Sequence, residues 1–313
     1  MPAPGPPPQE FLPPPGPPPG YSNPESSLAH GSSAPQDAAV PYHDWTAIPD
    51  TALLPPPPAL GYETSPTSNA SEHNASTARA WCEANALWPP RSLSSKEVTR
   101  ARDGVVRLVP PKEFKGSLTE QARGVWKVQS RPSCQDACFL TDVPLYSVLN
   151  DSPVRTGMRK AIHLEARLLS LGHSGESALS LGFCAQPYPT WRLPGWQRGS
   201  LGIHGDDGRR FVNDMWGGKD FTEPFRVGET IRVDMTFALP NEPPEYSVGE
   251  PARMATMQVD VSLGRDGRSC GGWSIHEELD LKEDLGVQGL EGDFDVYGAI
   301  GVFGEVEFVA SFS

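Results

Sequence analysis

The 313-residue chain carries 35 prolines, 31 glycines and a formal charge of −13. No basic patch answers the acid excess, which argues against nucleic acid and anionic membrane surfaces as partners. No run in the sequence approaches the ~18 apolar residues that a membrane span needs.

The prolines are unevenly placed. Twenty of the 35 fall in the first 66 residues, and seven acidic residues but no lysine or arginine precede Arg79. A proline-rich, hydrophobe-poor, uncompensated segment buries too little apolar surface to offset its ordering entropy, so residues 1–75 are expected to be a disordered arm. Ser76–Leu87 (STARAWCEANAL) is rich in helix formers and meets Trp88-Pro89-Pro90, which cannot continue a helix. Ser94 followed three residues later by Glu97 has the spacing of a capping box, opening a second helix that Gly104 closes. Residues 76–104 are therefore expected to be a helical lead-in, with Trp81 and Leu87 as its anchors.

From Val105 the apolar period changes from 3.6 to 2. In Lys160–Ser170, Ile162, Leu164, Ala166 and Leu168 point one way and His163, Glu165 and Arg167 the other, which describes a strand with one buried face. Leu179/Leu181/Phe183, Ile231/Val233/Met235/Phe237, Met257/Val259/Val261/Leu263 and Val306/Phe308/Ala310/Phe312 repeat the pattern. Shorter candidates are Val125–Val128, Cys138–Thr141, Ser200–His204, Arg209–Asn213, Trp273–His276 and Val296–Val302. Asp207-Gly208 and Asp266-Gly267 supply the positive φ angles of two-residue hairpin turns. About eleven short strands without crossover helices predict an all-β, antiparallel two-sheet sandwich.

At Leu179–Phe225 the pattern becomes specific. Leu181-Gly182-Phe183-Cys184-Ala185-Gln186-Pro187-Tyr188-Pro189, then Arg192-Leu193-Pro194-Gly195-Trp196-Gln197-Arg198-Gly199-Ser200-Leu201-Gly202-Ile203-His204-Gly205-Asp206-Asp207-Gly208-Arg209, and later Asp295-Val296-Tyr297-Gly298-Ala299-Ile300-Gly301-Val302-Phe303-Gly304, closely resemble the SPRY domain. They look most like fungal SPRY proteins with proline-rich arms. The resemblance covers residues 105–313 and implies a SPRY β-sandwich that recognises protein without catalysis. Two departures stand out. Ser262-Leu263-Gly264-Arg265-Asp266-Gly267 lacks the pair of aromatics usual there, and a proline-rich insertion, 240–254, precedes that strand.

Pro18-Pro19-Gly20-Tyr21 is a PPxY motif at the end of a PPPGPPPGY run, and Pro243-Pro244-Glu245-Tyr246 is a second one inside the insertion. Polyproline II presents its rings to the aromatic groove of a WW domain at low entropic cost, with the tyrosine in a neighbouring pocket. Together with the SPRY resemblance, these motifs are similar to adaptors that recruit a Nedd4-type HECT ubiquitin ligase and choose its cargo. Membrane-anchored relatives carry a transmembrane segment; here any endosomal or vacuolar address would be borrowed from a partner. The loop Tyr188–Trp196 is the expected cargo surface, because Tyr188, Trp191, Arg192 and Trp196 on a proline-braced loop have the composition of interface hot spots. Trp191 and Arg192 are expected to be exposed, whereas Tyr188 and Trp196 also fit as plugs of the sandwich's end.

Other constellations favour structural readings. Asp206 and Asp207 sit in a hairpin, and the acidic stretch Glu291–Asp295 lacks the alternating spacing of a calcium loop. His204 and His276 have no nucleophile motif nearby. Cys134 and Cys138 lack a second ligand pair for a metal site. The five cysteines form an odd, scattered set, as expected of reduced thiols. The start MPAPGPPPQE lacks the basic and apolar regions of a secretory signal, so a cytoplasmic protein is expected and the sequons at Asn69 and Asn74 are expected to stay unmodified. No cofactor is called for. The alternatives are a SPRY scaffold subunit with the arm as a tether, and a carbohydrate-binding or carbohydrate-cleaving sandwich.

Overall fold

A computed structural model describes residues 71–172, 177–215, 217–240, 257–277 and 286–313. The chain enters through α1 (Glu72–Ala84), whose N-cap Ser71 accepts a hydrogen bond from the Asn74 amide at 3.2 Å. The helix starts four residues before the expected Ser76, because Ser71 supplies the cap. It ends at Asn85, ahead of the prolines. α2 (Ser95–Arg102) is capped as the Ser94/Glu97 spacing predicts, with both reciprocal bonds present. Arg100 makes a bidentate contact with Asp142 at 2.9 and 2.7 Å, which ties α2 to the first strands of the sandwich.

Fourteen strands follow among the described residues: β1 (Leu108–Val109), β2 (Gly116–Ala122), β3 (Val125–Ser130), β4 (Ala137–Thr141), β5 (Lys160–Leu171), β6 (Ala178–Ala185), β7 (Ser200–His204), β8 (Arg209–Val212), β9 (Lys219–Asp220), β10 (Thr230–Ala238), β11 (Gln258–Arg265), β12 (Arg268–Ser274), β13 (Val296–Phe303) and β14 (Val306–Phe312). Two one-turn helices, α3 (Val148–Asp151) and α4 (Pro153–Thr156), precede β5. The strands make two seven-stranded antiparallel sheets, ordered β1-β4-β13-β6-β7-β8-β9 and β12-β11-β10-β5-β14-β3-β2. No helix among the described residues is long and apolar enough to cross a membrane.

The core lies between the sheets. Ile162, Leu164, Ala166 and Leu168 of β5, with Val233 and Met235 of β10, face Leu179, Leu181 and Phe183 of β6 and Ile300 and Val302 of β13 in one apolar cluster. In β5, β10, β11 and β14 burial alternates along the strand, as expected of a sheet with one solvated face. β4, β6 and β7 are buried at every position, and β13 at all but its last. Something covers the outer face of their sheet.

The two hairpins differ in detail. Asp266 (φ 48°) and Gly267 (φ 75°) form the expected two-residue turn between β11 and β12. Between β7 and β8 the connection is Gly205–Gly208, where Gly208 (φ 74°) takes the left-handed conformation and Asp207 does not. The Gly208 amide donates to the His204 carbonyl at 2.9 Å, closing a longer loop than Asp-Gly alone suggests.

A loop laid across the outer sheet

The outer face of the first sheet is covered by the chain between β6 and β7, which contains the predicted cargo loop. Side chains alternate across a strand, so with Leu179, Leu181 and Phe183 in the core, Ser180, Gly182 and Cys184 point outward. The same holds for Gly202 and His204 of β7 and for Ala299 and Gly301 of β13. These small groups leave a shallow trough. A Cβ on Gly202 would lie 2.3 Å from the Pro194 carbonyl oxygen, and one on Gly301 would lie 2.7 Å from Leu193 and Pro194 side-chain atoms. The loop therefore reaches the sheet only because glycine stands beneath it.

Directional bonds hold it there. The Cys138 amide donates to the Thr190 carbonyl at 2.8 Å, and the Tyr188 hydroxyl donates to the Leu193 carbonyl at 2.5 Å. Gly195 (φ 97°) turns the chain so that its amide meets Ser200 Oγ at 2.9 Å. His204 Nε2 lies 2.9 Å from the Pro194 carbonyl; a carbonyl only accepts, so this nitrogen carries the proton. Burial pulls the His204 pKa down to about 4, which keeps the ring neutral.

Of the four residues predicted to form the cargo surface, three are interior. Tyr188 packs with Cys138, Leu140, Cys184 and Ala299, and Trp196 with Leu193 and Phe211. Arg192, expected at the surface, is completely buried. Its guanidinium carbon lies 4.3 Å from the centre of the Trp196 ring, an arrangement in which the ring's negative face offsets part of the buried charge. None of its three nitrogens has a hydrogen-bond partner among the described residues. Burial lowers its pKa, and Tyr188 and then Asp136 oppose that pull; Asp136 is itself 8% exposed and lies just before β4. A charged residue on a proline-braced loop reads as surface chemistry in sequence; the trough and the distant Asp136 turn it inward. Trp191 alone of the four keeps exposed surface, and it meets Trp81 of α1 edge to face at 5.7 Å. The motif residues Pro18, Pro19, Tyr21, Pro243, Pro244 and Tyr246 lie outside the described residues.

Burial raises the Asp136 carboxyl to about 7, against an opposing pull from Arg192, and raises Asp206 to about 6. A carboxyl whose folded pKa lies above its unfolded value contributes stability that is full below about pH 4 and is lost as pH rises through the folded pKa. Asp136→Asn removes this dependence. The variant is expected to match the parent at pH 4 and to exceed it by on the order of 3 kcal/mol at pH 8, read from urea unfolding at both values. Comparing parent with variant cancels the contribution of His204, whereas Asp206, which helps raise the Asp136 carboxyl, is part of the effect being read. Parallel pH profiles would show that the Asp136 carboxyl titrates in the fold as it does in the unfolded chain.

Other sequence candidates take structural roles. Asp207 Oδ1 accepts from the Arg209 amide at 2.9 Å, Asp295 accepts from the amides of Arg91 and Val148, and His276 pairs with Glu291 at 2.8 Å. Among the described residues no group of three or more His, Cys, Asp or Glu is placed to hold a metal ion. All four described sulfhydryls inside the fold, Cys82, Cys134, Cys138 and Cys184, are unpaired thiols.

A scan of protein-family models matches none. Among curated proteins, the chain is 35% identical over 75 residues to a Ran-binding proteins 9/10 homolog of Drosophila melanogaster, covering 24% of this chain and 8% of that one. It is 27% identical over 99 residues to a SPRY domain-containing protein of Schizosaccharomyces pombe, covering 32% and 22%. Over these stretches the chain resembles SPRY-domain proteins. The human SPRY domain structure aligns with a TM-score of 0.39 at 15% identity, over 62% of this chain and 93% of that one. The chain spans less than a quarter of the length of either curated relative. In the sandwich the loop between β6 and β7 is a third layer, and with α1 it forms a cleft that local composition does not reveal. Its trace in the sequence is the polar run Gln197-Arg198, which follows the buried Trp196 on a glycine-flanked turn.

Proposed function

We propose that the chain is a non-catalytic adaptor. Its proline-rich arm engages a WW domain of a HECT ubiquitin ligase through Pro18, Pro19 and Tyr21, and its SPRY-like sandwich holds the cargo. The observation that carries this reading is the occurrence in one chain of a PPGY motif, continuing a PPPGPPPGY run, and a SPRY-like sandwich. SPRY domains are protein-interaction modules, and a pre-extended polyproline segment loses little entropy on docking. Pro243, Pro244 and Tyr246 supply a second ligand, so a partner with tandem WW domains gains avidity through effective concentration. Any endosomal or vacuolar address comes from the partner. Cargo meets the sandwich on the side of the half-buried Trp191, which Tyr188, Arg192 and Trp196 support from beneath.

In a Tyr246→Ala background, which leaves the arm motif as the WW ligand, Tyr21→Ala is expected to weaken binding of a single WW domain by about tenfold or more in calorimetry. The melting temperature of the sandwich is expected to stay that of the parent, as read by circular dichroism. Undiminished affinity would overturn the role of the arm motif.

A further inference from the structure

Between α1 and the covering loop lies a cleft of about 540 Å³. Arg79, Glu83 and Leu87 form one wall, and Trp196, Gln197 and Asn213 form the other. Its floor is rigid for a specific reason. The Arg198 guanidinium donates to the carbonyls of Cys82, Asn85 and Pro187, so it satisfies the open C-terminal end of α1 and bolts the helix to the loop. Arg198 is thereby spent as a ligand group.

Gln197 is not. Its side chain is 4% exposed, yet Nε2 has no hydrogen-bond partner among the described residues, while Oε1 receives the Cys82 thiol at 4.0 Å. A buried primary amide with two unused N–H donors is a costly arrangement unless an acceptor arrives. Asn213 has its amide orientation fixed, since Oδ1 accepts from the Ser200 amide at 3.1 Å, which makes Nδ2 its donor. At the rim, Arg79 is exposed and forms no ion pair among the described residues. The cleft thus offers amide donors within, an apolar wall from Leu87, and one cation at its mouth.

That combination selects a ligand class. Trp196 is 1% exposed, so it gives no open ring face on which a sugar could stack. One rim arginine opposed by Glu83 one turn away is too little positive charge for a polyanion. A peptide fits, because its carbonyls are acceptors for carboxamide donors and a single acidic side chain suits Arg79.

We propose that this cleft binds a short acidic peptide segment of a partner protein, with a peptide carbonyl on Gln197 Nε2 and a carboxylate at Arg79. The proposal rests on the reading of the sandwich as a protein-interaction module, and it adds to the Trp191 side a contact at the junction of the loop with α1.

The test uses a phage-displayed random dodecamer library panned on the full chain, followed by fluorescence anisotropy of an enriched peptide. Enriched peptides should share an acidic residue. Gln197→Leu, which keeps the volume and removes the donors, is expected to weaken binding roughly tenfold. Arg79→Glu, a change at an exposed position with no cost to the fold, is expected to weaken it by a few-fold. Tyr21→Ala should leave peptide affinity intact, so loss of WW binding and loss of cleft binding are separate results. Failure to enrich any sequence, or enriched peptides indifferent to both Gln197→Leu and Arg79→Glu, would overturn the proposal.

Discussion

Trp196→Ala is expected to lower the stability of the sandwich by about 3 to 5 kcal/mol. The indole is the largest fully buried side chain described, at 1% exposure. It packs edge to face against Phe211 at 6.4 Å, lies 5.2 Å from the His204 ring, and sits beneath the Arg192 guanidinium. Truncation leaves a cavity and also withdraws the π face from a buried cation, so the two costs add. In a domain of this size each kcal/mol shifts the melting temperature by ~2 to 4 °C, which puts the expected loss near 10 °C. Loss of less than about 1 kcal/mol in urea unfolding would place the indole at a solvated surface and return the loop to the role its composition suggests.

Gly202→Ala is the second large effect and tests the trough itself. The new methyl would lie 2.3 Å from the Pro194 carbonyl oxygen, a backbone atom that cannot swing aside as a side chain would. That carbonyl is also the acceptor for His204 Nε2. Pushing it away strands a buried N–H donor in addition to straining the loop. A destabilisation of about 2 to 4 kcal/mol follows from overpacking together with the lost hydrogen bond. Gly264→Ala on β11 is the control, because its nearest neighbour would be 3.5 Å away; it should cost under about 1 kcal/mol. Equal effects at the two positions would contradict the account of the loop as a layer seated on glycine.

The second sheet was the legible one. In β5, β10, β11 and β14 one face meets the core and the other meets water, so burial and sequence alternate together. The first sheet showed its inward residues equally well, since Leu179, Leu181 and Phe183 alternate with smaller ones. What alternation could not show is that Ser180, Gly182 and Cys184 are covered too, because a small residue under a loop and a small residue in water look alike in one dimension. β2 escaped notice for the converse reason: GSLTEQA is a largely exposed edge strand whose pairing with β3 is carried by backbone bonds.

Site residues were less legible than strands. Tyr188, Trp191, Arg192 and Trp196 share one loop, and three of them lie in the interior. Their burial depends on Gly202 just beyond the loop and on Asp136 and Gly301, which lie more than 50 and more than 100 residues away along the chain and are invisible to local composition. The capping box at Ser94 and Glu97 and the Asp266-Gly267 turn were readable because their chemistry is complete within four residues.

The most direct test of the adaptor account is calorimetric titration of a tandem WW-domain fragment into the full chain and into its Tyr21→Ala, Tyr246→Ala and double variants. The account predicts micromolar or tighter binding to the parent, weaker binding to each single variant and none to the double variant, with unchanged circular dichroism throughout. Binding to the double variant as tight as to the parent would contradict it.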